Sequence, residues 1–232
     1  GIRVMDVSNP SNYRTVYTFT QIAGSVRSLA LDADNNLVVV GGGVQSLGYI
    51  KVLDISNPLS INQIKTQNIS EWLGTGGSNE GSPRKVKVIQ NYAFVPVFGS
   101  GLVIVDINKM QAHSTTGVII GRTNDEWVKG IEVYTKSIKN ADDTVTTKFY
   151  AVLLIEYFGI KILDVTTPTN PVEISTFDTG MNHSLRSLEL VTGYWVDLNK
   201  NGKPELIEDL NNNGILDKGE DFNNNVKSGQ TM

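Results

Sequence analysis

The chain of 232 residues contains no cysteine. That one absence excludes a disulfide framework, zinc–thiolate sites and thiol catalysis. Histidine is nearly as scarce. His113 and His183 are the only two, and each is read as a surface residue of a turn or strand end. No basic run or clustered Arg/Lys face is present. Twenty Lys and Arg against 24 Asp and Glu leave a net charge of −4, which speaks against nucleic acid as a partner. Long hydrophobic runs are missing too. The longest, 150–163, contains Glu156 and Gly159 and is too short to cross a bilayer, so no direct membrane span is expected. Helical periodicity is hard to find anywhere in 1–193. No G-x-S-x-G, H-E-x-x-H or paired-carboxylate signature occurs, so no catalytic residue is assigned. The glycine-rich segment 74–84 lacks the Lys-Ser/Thr ending of a phosphate loop and reads as a long connection. The chain opens on Gly1 without a visible signal peptide, which suits a mature form or a piece of a longer chain.

What is present is a repeat. Gly1-Ile-Arg-Val-Met-Asp6-Val-Ser-Asn-Pro10 returns as Gly48-Tyr-Ile-Lys-Val-Leu-Asp54-Ile-Ser-Asn-Pro58. It returns again as Gly101-Leu-Val-Ile-Val-Asp106-Ile-Asn108 and as Gly159-Ile-Lys-Ile-Leu-Asp164-Val-Thr-Thr-Pro168. A spacing of about 50 residues is that of propellers and solenoids. Each motif is preceded by an apolar strand (37–40, 92–97, 150–155) and, before that, by an alternating one (26–31, 86–89, 131–134, 185–190). A more polar strand follows it (13–19, 61–69, 118–122, 172–177). The unit is therefore four short strands.

The motif strands are apolar on both faces. Ile160 and Ile162 point one way and Leu163 and Val165 the other, as in a strand with packed layers on both sides. The fold class expected is all-β: a β-propeller with about four blades visible over 1–193, or part of a larger ring, followed by a calcium-loop tail or insertion over 194–232. The recurrent aspartate is assigned a local role, accepting backbone N–H groups in the Ser/Thr-x-Pro turn after it. Trp72, Trp127, Tyr157, Phe158 and Trp195 are candidates for a binding face, with packing as the default reading.

At Leu102-Val-Ile-Val-Asp106 and its copies the chain resembles the LVIVD repeat family; the third copy has Met110 where the others have Pro. The resemblance implies a β-propeller of bacterial or archaeal cell-surface and secreted proteins, with no shared catalytic residues.

The sharpest chemistry lies in 197–232. Asp197, Asn199, Asn201, Gly202 and Glu208, and then Asp209, Asn211, Asn213, Gly214 and Glu220, satisfy the twelve-residue pattern D-x-[DN]-x-[DN]-G-x5-E twice in abutting register. The ligands of the first loop are Asp197, Asn199, Asn201, the Lys203 carbonyl, Glu205 and Glu208. Those of the second are Asp209, Asn211, Asn213, the Ile215 carbonyl, Asp217 and Glu220. A third loop opens with Asp221, Asn223 and Asn225 but has Val226 for the glycine and Met232 for the glutamate. All are hard oxygen donors, which suit Ca²⁺. No helices fit between the loops and Pro204 occupies position 8. The tail therefore resembles tandem thrombospondin type 3 or dockerin-like loops rather than a paired EF-hand. Asn at positions 3 and 5 lowers the ligand charge, so the expected Kd is about 10⁻⁵–10⁻³ M, as in extracellular modules. The expected function is a non-enzymatic, calcium-binding extracellular or cell-surface propeller for adhesion, assembly or ligand display. Its partners would be a surface protein or glycan, with self-association through blade edges. The alternatives are a hydrolase or lyase with its site in the central channel, and a structural subunit of a surface layer or filament.

Overall fold

The computed structural model describes residues 1–22, 24–44, 47–69, 83–124, 127–140, 142, 144–178, 180, 188, 195–196 and 205–206. They fall into two units, Gly1–Glu189 and Leu190–Met232.

In the first unit, β1 (Ile2–Asp6) pairs with β2 (Arg14–Phe19) as a two-stranded sheet. Three four-stranded antiparallel sheets follow in chain order. The second sheet is β3 (Ser25–Asp32), β4 (Leu37–Val44), β5 (Leu47–Asp54) and β6 (Asn62–Asn68). The third is β7 (Lys87–Ile89), β8 (Tyr92–Val97), β9 (Gly101–Asp106) and β10 (Ile119–Arg122). The fourth is β11 (Val128–Lys139), β12 (Val145–Ile155), β13 (Gly159–Asp164) and β14 (Val172–Asp178). In every complete sheet each strand pairs with the next, so the repeat unit of the sequence is one four-stranded meander. Runs such as Leu37-Val-Val-Val40 favour this backbone because β-branched side chains pack well on a pleated surface.

The sheets stack face to face. On β4, Val39 joins a core formed with the third sheet, while Val40 joins one formed with the first. On β9, Val103 and Val105 face the second sheet and Leu102 and Ile104 the fourth. Successive side chains on a strand point to opposite faces, so strands apolar at every position are those covered on both sides. Each such Val, Leu or Ile contributes roughly 1.5–3 kcal/mol on burial. The Gly41–Gly43 run lets neighbours close in: a Cβ at Gly41 would lie 2.8 Å from Cγ2 of Val86 in the next sheet.

The expectation of double-sided burial fails for β13. Leu163 and Val165 are core residues, but Ile160 and Ile162 are only half-buried. No further sheet covers that face among the described residues, and they form no closed ring. Two other departures have local causes. Residues 107–111 form a short helix, α1 (Ile107–Gln111), at the one repeat that lacks the turn proline; Asp106 caps it and Ile107 and Met110 are buried. The hairpin of β11 and β12 runs past the expected 134 and 150, with Thr135↔Phe149 through Lys139↔Val145 still paired. Its turn is held by Asn140 and Asp142 bonded to Thr144.

In the second unit, β15 (Trp195–Val196) and β16 (Glu205–Leu206) pair antiparallel, Val196 opposite Glu205.

Candidate functional site

The two ends of the sheets are built differently. At one end lie the repeat aspartates. Asp6 Oδ1 accepts the Ser8 N–H at 3.0 Å, Asp54 Oδ1 the Ser56 N–H at 2.8 Å and Asp164 Oδ1 the Thr166 N–H at 2.9 Å. This is the Asx-type turn expected of the motif. Where the motif changes, the aspartate changes its use: Asp106 Oδ1 accepts the Lys109 N–H at 3.2 Å and caps α1. Hydrogen bonds from the Ser8 hydroxyl and backbone hold Asp6 below the ordinary carboxylate range, and the Ser56 backbone does the same for Asp54. At Asp164 the Thr166 hydroxyl and then Lys148, whose Nζ is 2.9 Å from Oδ2, lower the value to about 2. These carboxylates are absorbed by turn geometry.

The opposite end holds the starts of the first strands and the turns between second and third strands. Pro83 bridges Val97, and Val128 pairs with Ile155. This register makes Arg84 and Lys129 equivalent, and likewise Phe98 and Glu156. All four line one open cavity of about 310 Å³. The Arg84 guanidinium lies 4.6 Å from the Phe98 ring centre, a cation–π contact. Lys129 and Glu156 form an ion pair. Arg84 Nε is buried and finds no hydrogen-bond acceptor among the described residues. Burial and then Arg27 pull the Arg84 guanidinium below its usual value, and Glu156 opposes them.

Aromatic rings border the cavity. Phe98 and Trp127 stand 5.7 Å apart, and Trp127 meets Tyr157 edge-on at 5.8 Å. Trp127 is 42% exposed and Tyr157 51%. The two turns explain the placement. Val97–Ser100 is closed by Ser100 N–H to the Val97 carbonyl, with Gly99 at φ 76°. The equivalent Ile155–Phe158 turn carries Tyr157 at φ 61°, where glycine would be unstrained. Trp127 also has positive φ, 45°. A bulky residue held there costs on the order of 1 kcal/mol, and such outliers cluster at functional sites.

Deeper along the first strands, Glu132 is buried between two lysines. Lys85 bonds Oε1 and Lys87 lies 2.7 Å from Oε2. Burial raises the Glu132 pKa, but the two lysine hydrogen bonds outweigh it and keep the carboxyl below its usual range. Val86 N–H donates to Ser28 Oγ at 2.8 Å. The first strands of the second, third and fourth sheets thus face one another.

Of the expected calcium ligands only Glu205 lies among the described residues, in β16; Asp197 to Lys203 and Glu208 to Asn225 lie outside them. Among the described residues no three His, Asp or Glu side chains converge on a metal position. His113 sits in the turn after α1 at φ 53°, and His183, Trp72 and, of the expected strand 185–190, all but residue 188 are outside the described residues. Of the aromatic candidates, the fold brings Trp127 and Tyr157 together. Arg84, Phe98, Lys129 and Glu156 were not singled out in the sequence as a site. Their signal was positional: each follows the same repeat register, visible only once the strands are paired.

Residues 80–113 match the LVIVD repeat. No curated protein matches the chain. Among solved structures, the crystal structure of the computationally designed Ika4 protein is similar at 15% identity over 76% of this chain and 86% of that one, with a TM-score of 0.45.

Proposed function

We propose that the chain is a non-enzymatic, calcium-binding extracellular β-propeller that displays a ligand-binding face at the cation-and-aromatic end of its sheets. The observation that carries this reading is the pocket of Arg84, Phe98, Lys129 and Glu156 rimmed by exposed Trp127 and Tyr157. Convergent polar groups beside aromatic walls on a rigid scaffold suit binding. A hydrolase or lyase is disfavoured because the carboxylate of that cavity, Glu156, is committed to Lys129. Stacking of sheets in chain order, with their first strands facing one another, supports the propeller reading.

Calcium binding is supported by the two full sequence patterns after Trp195. The Val196–Glu205 pair also brings together the residues flanking 197–204. The loops act as a calcium-dependent stiffener, filled at extracellular calcium concentrations and empty in a cytosol. Calorimetric titration of the whole chain with Ca²⁺ tests this: uptake of two or more ions with a Kd of about 10⁻⁵–10⁻³ M is expected, and no heat at millimolar Ca²⁺ removes the calcium assignment.

A second reading, self-assembly through sheet edges, is favoured by β1. Among the described residues it pairs only with β2, and its Ile2 and Val4 help line an apolar groove with Leu29, Leu31 and Val38. In the complete sheets the equivalent strand has a second strand on its other edge. Unpaired edges invite strand addition. Sedimentation velocity at rising protein concentration tests it; a monomer throughout excludes it.

A further inference from the structure

We infer that the pocket at this end binds an acidic sugar residue of a polysaccharide, its carboxylate held by Arg84 and its ring lying against Trp127 or Tyr157. The assignment deepens the reading of that end as a ligand-binding face and rests on it.

Charge names the first part of the ligand. Two cations, Arg84 and Lys129, line the cavity against one carboxylate, Glu156. Lys129 and Glu156 are already paired, and Glu156, which also attracts Arg84, is one carboxylate against two cations. The Nε of Arg84 is buried and meets no acceptor among the described residues. A guanidinium held this way is matched by the two oxygens of a carboxylate, which take parallel N–H bonds from its planar fork. The Phe98 ring, its centre 4.6 Å from the guanidinium carbon, packs against that fork.

The aromatic rim names the second part. Trp127 and Tyr157 expose large rings beside the cavity and lean on one another. The C–H face of a pyranose packs on such rings while its hydroxyls stay in water, as suits amphipathic side chains half in solvent. Both rings stand on residues at positive φ, one of them in a turn that the neighbouring sheet closes with Gly99. Tyrosine in that turn packs edge-on against Trp127 at a backbone angle that glycine would hold without strain. A cavity of about 310 Å³ that opens to solvent is at the small end of ligand pockets and suits one ring of a longer chain. A nucleic acid is disfavoured, because the protein is net negative and one of the two cations of the cavity is already paired with Glu156.

The test is calorimetry and tryptophan fluorescence on the full chain in EDTA, so that calcium neither fills the tail nor bridges the ligand. The probes are tetragalacturonate, its methyl ester, the neutral galactose tetramer and tetraglutamate. Tetragalacturonate is expected to bind, with the ester and the neutral tetramer each weaker by about tenfold or more. Arg84→Ala is expected to lose about tenfold, Arg84→Lys less, and Trp127→Ala to lose both affinity and the fluorescence change. If a variant fails to fold, the ester comparison on the unaltered protein still decides. Equal binding of acid and neutral tetramers, indifferent to Arg84→Ala, overturns the acidic assignment and leaves the binding face standing. Tetraglutamate binding as tightly as tetragalacturonate replaces the sugar by an acidic peptide and also overturns it. No binding of any probe overturns both the assignment and the reading of that end as a binding face. The calcium titration is independent of every one of these outcomes.

Discussion

The two ends of the stacked sheets use charge in opposite ways. At the aspartate end every repeat carboxylate is consumed by its own turn or helix cap, and Asp164 is also paired with Lys148. At the other end Arg84 has a buried N–H with no acceptor among the described residues, and Trp127 and Tyr157 hold backbone angles that large residues avoid. The first end repeats because three repeats start the following strand with the same turn, and the remaining one uses its aspartate as a helix cap. At the second end only the positive charge repeats: Arg27, Arg84 and Lys129 share one register position, while the positions beside them change, Phe98 to Glu156 and Gly99 to Tyr157. Satisfied chemistry marks structure; unsatisfied chemistry whose neighbours vary on the same scaffold marks the place where a ligand would complete it.

The core between the ends sets the scale. Ile104 is fully buried between the third and fourth sheets, and Ile104→Ala is expected to destabilise by about 2–5 kcal/mol in denaturant unfolding. A comparable loss from any single substitution at the cavity would erase the distinction between the ends. Next come the turns. Asp106→Ala removes the cap of α1 and is expected to cost about 1 kcal/mol. Asp164→Ala breaks a turn and an ion pair and should cost a similar amount, about 1–2 kcal/mol. Neither should change binding at the other end. Loss of ligand affinity in either variant, with the fold intact by circular dichroism, would break the comparison.

The strand pattern is legible in the sequence. Alternating and continuous apolar runs located the strands, because burial on one face or two leaves a direct trace in the sequence. The role of the aspartates followed from one residue and the Ser or Thr two positions later. The distal part of the β11–β12 hairpin carries little signal, since its pairs Lys136 with Lys148 and Ser137 with Thr147 are polar and only Ile138 and Val145 interrupt them. Helix α1 was missed for a related reason: the absence of a proline at 110 permits a helix but does not announce one. The cavity was the least legible part. Arg84 and Glu156 stand 72 positions apart, and only the register of neighbouring sheets brings them to one place.

Acid sharpens the comparison further. Asp164 has a folded pKa of about 2 against roughly 3.9 for an unfolded aspartate. Its contribution is therefore full above about pH 4 and is lost as the pH falls through about 2. Asp54 and Asp6 are shifted in the same direction. Thermal melts from pH 5 to 2 should show stability falling across that window, and Asp164→Asn, which keeps an acceptor for Thr166 but no charge, should flatten the fall. An unchanged slope in Asp164→Asn would mean that the turn carboxylates are not what acid attacks.

The smallest effect is the most discriminating, because its sign is unusual. A substitution that removes a half-buried charged residue normally destabilises. Arg84 is different. Its Nε forfeits water without gaining a partner among the described residues, and a buried donor left in that state costs about 1–3 kcal/mol. Arg84→Met keeps an unbranched side chain over Phe98, where a thioether packs well against a ring, and removes the unsatisfied group. Melting temperature should stay level or rise by the equivalent of about 0.5–1 kcal/mol, while ligand binding is lost. Residues kept for function against stability behave in this way. If Arg84→Met instead lowers stability as much as Asp106→Ala does, Arg84 belongs to the scaffold, and the contrast between the ends is one of sequence alone.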